Sequence, residues 1–204
     1  MKQPNNYLSL HKRSALVVCF TAIAFLWSCG HKTKSEIDKL VKDTQLSDAQ
    51  VIQKMAESAW IFKTENNRNF KAHQKPDGKY ILIGSTIDTI PVTTLTKEQF
   101  VRINMQDDAK YIWRTLSGGE KRGLDEVVYS HWVKVGGDME LYRVRVSIAM
   151  LDNNVPSWRT ADLYSVGDHD ILDTDDAKQA VKDIVSHWIV ELDNTAALTV
   201  GGRQ

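Results

Sequence analysis

The stretch VVYSHWVKVGGDMELYRVRVSIAM, residues 127–150, decides the fold. Two runs of alternating residues, Val127 to Val135 and Asp138 to Met150, flank Gly136-Gly137, a pair suited to the positive φ of a two-residue hairpin turn. A tight turn there sets Val127, Tyr129, His131 and Val133 opposite Val146, Val144, Tyr142 and Glu140. All but the last of these pairs are apolar or aromatic, and the parity agrees on both strands, so this face packs on a core. His131, facing Tyr142, reads as a hydrogen-bonded core histidine rather than a catalytic base. The opposite face sets Val128, Ser130, Trp132 and Lys134 against Arg145, Arg143, Leu141 and Met139. Trp132 then lies opposite Leu141 and diagonal to Arg143, within reach of a cation–π contact. An aromatic residue beside arginine is the composition of binding hot spots, so Trp132, Leu141 and Arg143 form a candidate partner surface. The competing expectation is that a further layer of the fold covers Trp132.

Downstream, Asp152-Asn153-Asn154 should turn the chain into a third strand around Trp158 to Val166. From Asp175, the residues Ala177, Ala180, Val181, Ile184, Val185, Trp188, Ile189 and Leu192 recur at three- and four-residue steps. That spacing predicts an amphipathic helix of about five turns laid on the sheet. Upstream, Ser47 and Gln50 form a capping box ahead of Val51, Ile52, Met55, Ala56, Ala59 and Trp60, one apolar helical face. Phe70 to Gln74 reads as a short strand, Lys75-Pro76-Asp77-Gly78 as a turn, and Tyr80 to Gly84 as a buried strand. Thr96 with Gln99 offers a second capping box, and residues 96–116 read as one helix or as two. The expected fold class is α+β. A polar tether over 29–46 precedes a single domain over 47–204, an antiparallel β meander packed by an N-terminal helix and a C-terminal amphipathic helix.

Two motifs invite a chemical reading. Leu116-Ser117-Gly118-Gly119-Glu120-Lys121 is similar to the signature loop of cassette ATPases, which works only beside a phosphate cradle G-x-x-x-x-G-K-[ST]. Gly78-Lys79 is followed by Tyr80 and has no glycine five residues before it, so no ATP site is expected. Gly118-Gly119 is expected instead to end a helix in left-handed geometry. The acidic stretch from Gly167 to Asp176 lacks the calcium loop's central glycine and its distant bidentate glutamate. Capping by Asp173 or Thr174, with Asp175 and Asp176 complementing the helix dipole, accounts for it. His31, His73, His131, His169 and His187 show no zinc-ligand spacing, and there is no G-x-S-x-G. No catalytic residue, metal or cofactor is expected.

The N-terminus carries an address. Lys2, Lys12 and Arg13 lead, with no acid before Glu36, into an apolar run from Ala15 to Trp27 broken only by Thr21. That run suits the apolar region of a secretory signal and falls short of the roughly 20 residues that span a bilayer. Leu26-Trp27-Ser28-Cys29 follows and resembles the signal of a bacterial lipoprotein, although Trp27 stands where a smaller side chain is usual. The resemblance implies cleavage of residues 1–28 and lipidation of Cys29 by diacylglycerol and an N-acyl chain such as palmitate. An uncleaved membrane anchor and an ordinary secretory signal are the alternatives. Of the two cysteines, Cys19 lies in the signal, so the processed chain would hold no thiol for a disulfide.

Taking Lys2, Lys12 and Arg13 from 26 Lys plus Arg, and nothing from 26 Asp plus Glu, leaves 23 bases against 26 acids. That balance, with no long basic block, makes the chain a poor candidate for a nucleic-acid partner. The expected role is a membrane-anchored envelope lipoprotein that binds or scaffolds other envelope proteins. Gly30 after the cysteine, in place of the aspartate that resembles a retention signal, favours the outer membrane. The alternative role is an envelope hydrolase or small-ligand-binding lipoprotein with a site built from scattered residues.

Overall fold

The computed structural model describes residues 33–60, 65–89, 97–134, 138–164 and 174–191. Helix α1 covers 33–42; then come α2 (Asp48–Ala59), β1 (Arg68–Gln74), β2 (Tyr80–Thr89) and α3 (Lys97–Gly119). They are followed by β3 (Leu124–Lys134), β4 (Asp138–Ser147), α4 (Ile148–Asn154), α5 (Asp175–His187) and β5 (Ile189–Val190). The strands form one sheet in the order β1-β2-β3-β4-β5, and with the helices they make a single α+β domain.

The sheet is mixed rather than a pure antiparallel meander. The pairs β1–β2, β3–β4 and β4–β5 are antiparallel, but β2 and β3 run parallel. Parallel neighbours need a crossover, and α3, one continuous helix, supplies it. The strand expected from Trp158 does not form over 158–164, which is turn and irregular backbone. Its carbonyls are taken by α3 side chains instead: Trp113 Nε1 donates to Trp158 O at 2.6 Å and Arg114 Nε to Leu163 O at 3.0 Å. Strand β4 gives way at Ser147, whose hydroxyl caps α4 by accepting from Met150 N. Asp152-Asn153-Asn154 therefore end a helix rather than join two strands.

The capping signals at Ser47 and Thr174 hold, and Thr96, of the capping box expected with Gln99, lies outside the described residues. Ser47 and Gln50 make the reciprocal bonds of a capping box, and Val51, Ile52, Met55, Ala56, Ala59 and Trp60 are all buried. Thr174 caps α5 with Asp175 and Asp176 in the first turn. That helix stops short of five turns, because Trp188 turns extended and leads into β5 against β4.

The hairpin register is as expected for Val127↔Val146, Tyr129↔Val144 and His131↔Tyr142. It then shifts, so that Trp132 pairs with Glu140, Val133 with Met139 and Lys134 with Asp138. The shift leaves Leu141 without a cross-strand partner, a β-bulge. Bulging turns Leu141 to the same side as Tyr142, and both are buried in the core. Gly136-Gly137 lies outside the described residues.

The expected tether is, over 33–42, a helix docked on the domain, with Thr33 and Ile37 each 1% exposed. Gly118 on α3 makes the room: a Cβ there would stand 2.5 Å from Ile37 Cγ2. One at Gly119 would stand 2.6 Å from Leu124 Cδ2. These two glycines are packing positions inside α3, and the left-handed residue is Gly123 (φ 80), past a 3-10 turn over Glu120–Arg122. Alanine at Gly118 gains about 0.5–1 kcal/mol of helix propensity but must displace Ile37, at about 1–3 kcal/mol. A net loss of stability is expected for Gly118→Ala, measured by urea unfolding, with the amides of α1 losing hydrogen-exchange protection first.

Candidate functional site

A polar cluster lies at the centre of the fold. On α3, Val101, Met105, Ile112 and Leu116 recur at helical steps, and Asp108 sits among them on the same stripe. The stripe faces the sheet, so the carboxylate is carried inward and left 1% exposed. Tyr129 and His131, two residues apart on β3, point to the same side. Thr86 on β2 and Tyr142 on β4 pair with His131 from either flank, and Trp60 arrives from the end of α2.

Four donors converge on Asp108. Trp60 Nε1 (3.3 Å) and Tyr129 OH (3.1 Å) donate to Oδ1. His131 Nδ1 (2.8 Å) and Tyr142 OH (2.6 Å) donate to Oδ2. A carboxylate offers about four lone-pair sites, so this one is saturated. The Tyr129 proton is committed to Asp108, so in the Thr86–Tyr129 hydrogen bond the threonine hydroxyl is the donor. Rings pack the same groups: Trp60 stacks on Tyr129 at 5.1 Å and His131 on Tyr142 at 5.2 Å.

The other nitrogen of His131, Nε2, lies 3.4 Å from Asp88 Oδ2. That separation is an ion-pair distance without hydrogen-bond geometry, and Nε2 has no other partner among the described residues. Burial alone disfavours the imidazolium; Asp108 and then Asp88 outweigh it and raise the His131 pKa to about 9. Burial first, and the charge of Asp108 second, push both Tyr129 and Tyr142 well above the usual phenol range. At neutral pH the cluster is therefore an imidazolium between two aspartates, with both phenols neutral. The raised pKa favours the protonated form of His131 at neutral pH, and its Nδ1 proton is held by Asp108. The cluster has one half-open end, the Asp88 side chain at 22% exposure. Chemically it is a charge-compensated lock between α2, α3 and three strands.

The hot-spot surface expected on the outer face does not assemble. Leu141 faces the core through the bulge, and Trp132 is half-buried beside Glu140. Arg143 is engaged by Glu140 through Nε (3.0 Å) and Nη2 (3.1 Å) and by Ser130 Oγ (3.2 Å). Cys29 and residues 165–173 lie outside the described residues. His73 and His187 are exposed and far apart in the fold, on β1 and at the end of α5. Asp108, Asp88 and Thr86 escaped the sequence reading; the signal available for Asp108 was one charge in the middle of an apolar helical stripe.

No protein-family model matches this chain, and neither a curated protein nor a solved structure resembles it significantly.

Proposed function

We propose that the chain is a lipid-anchored protein of the bacterial envelope, held by acyl groups on Cys29, with the outer membrane favoured. Its domain binds or scaffolds other envelope components and does so from its surface rather than by catalysis. One observation carries this reading: the apolar run ends in Leu26-Trp27-Ser28-Cys29, four residues ahead of a docked helix that is described from residue 33. Four residues of extended chain reach at most about 14 Å, so an anchor at Cys29 would hold the domain close against the headgroups. The buried Asp108–His131 cluster supports the non-catalytic part, since Asp108 is saturated by its four donors and the His131 Nδ1 proton is held by it. Two or three acyl chains, at about 0.8 kcal/mol per buried methylene, suffice for stable anchoring.

The test is the intact mass of the protein extracted from bacterial membranes. The expected mass is that of the chain from Cys29 plus acyl groups, and Cys29→Ala should lose both the acyl mass and the cleavage. A wild-type mass that retains residues 1–28 would replace the reading with an uncleaved anchor. A cleaved chain without acyl groups would replace it with a secreted protein.

A further inference from the structure

A cleft of about 600 Å³ opens where three connections meet: the α1–α2 loop, the β1–β2 turn and the α3–β3 turn. Its walls are fixed. Gly78 (φ 84) and Gly123 (φ 80) hold their turns in left-handed geometry, and Tyr80 N donates to Gly123 O at 2.8 Å, joining one turn to the other. Arg122 fastens the third wall: Nε donates to Val41 O at 2.9 Å, Nη1 to Asp48 Oδ1 at 3.0 Å, and Nη2 to Asp43 O.

The charges are unbalanced. Arg122 uses three of its five N–H groups and leaves one on each Nη unengaged among the described residues. Lys42 and Lys121 line the same cleft, and neither ammonium has a carboxylate partner among the described residues. Thr44 and Tyr80 add hydroxyls. Against three cations stands one lining acid, Asp48, which Arg122 already engages. Other cations of the domain are matched differently: Arg145 bridges Glu126 and Glu191, and Lys75 and Lys79 share Asp125. A concave site with two mobile ammonium groups and spare guanidinium N–H suits a compact oxyanion with several acceptor oxygens. Its volume lies within the range of small-ligand sites, but its lining is polar where such sites are mostly apolar.

We infer that this cleft binds a phosphoryl group, as inorganic phosphate or as the phosphodiester of a lipid headgroup. The inference goes beyond the anchored-protein reading and holds however the chain is attached. The test is calorimetric titration of the full-length chain in nonionic detergent with two probes, inorganic phosphate and water-soluble dihexanoyl phosphatidylglycerol. Saturable binding of at least one is expected, weakening as ionic strength rises. The double variant Lys42→Gln/Lys121→Gln should weaken it about tenfold or more. Lys54→Gln, an exposed cation outside the cleft, should leave it unchanged. Tighter binding of the lipid than of phosphate assigns the headgroup; the reverse assigns free phosphate. Absence of binding by both probes overturns the inference. So does binding that survives the double variant, or that falls equally in Lys54→Gln.

Discussion

Asp108→Ala is expected to destabilise the domain by about 3–5 kcal/mol, because it removes one partner of a buried ion pair and leaves the other charge uncompensated. His131 would be left with only Asp88 as a counter-charge. Tyr129, Tyr142 and Trp60 would each lose an acceptor in a place water does not reach. Domain stabilities are about 5–15 kcal/mol, so the loss is a large fraction of the total. Urea unfolding should show a lower midpoint with an unchanged slope, and thermal unfolding a fall on the order of 10 °C. Tyr142→Phe removes a single donor and leaves Asp108 the other three, so its cost should stay near 1 kcal/mol. Equal effects of the two variants would mean that Asp108 is no hub.

The second large effect is a loss of stability in alkali. The His131 pKa, raised to about 9, exceeds the 6.5 of an unfolded histidine. A raised pKa means that folding favours the protonated form. Its contribution is complete below pH 6.5, declines above it, and is gone once pH has risen through about 9. The span corresponds to about 3 kcal/mol at most. Of the titratable side chains set against His131, Asp108 from α3 and Asp88 from β2 act in this sense, while Tyr129 from β3 and Tyr142 from β4 stay neutral over this range. The tyrosines, with pKa values above those of unfolded phenols, add a further loss only above about pH 10. Stability measured from pH 6 to pH 9.5 should therefore fall in wild type and stay nearly flat in His131→Gln.

The sequence and the structure agree where one local rule sufficed. Ser47 with Gln50 marks the start of α2, and the alternation from Val127 places Tyr129 and His131 inside. They part where a feature depends on residues distant in the chain. The bulge at Leu141 is invisible in a pattern whose parity is sound on both sides of it. The parallel pairing of β2 and β3 follows from α3 being one helix between them, and the sequence leaves one helix or two open because Asp108 interrupts the apolar stripe. Strand β2 was legible only to Gly84, since its inward residues beyond that point, Thr86 and Asp88, are polar. The same polarity that hid the strand supplies the cluster. Residues 33–42 read as a tether because five of the ten are charged and only Thr33 and Ile37 are fully buried, with Leu40 and Val41 half-buried against the core. The cleft at Arg122 could not be read at all, being assembled from three separate connections.

In this fold the buried histidine acts as a fixed charge in a lock and not as a working base. Nuclear magnetic resonance of the imidazole nitrogens of His131 tests it directly. The expected result at pH 7 is a doubly protonated ring, with both N–H protons shielded from exchange and titration only near pH 9. A neutral ring at pH 7, unprotonated at Nε2 and titrating near 6.5, would contradict it, and would place a competent general base behind Asp88.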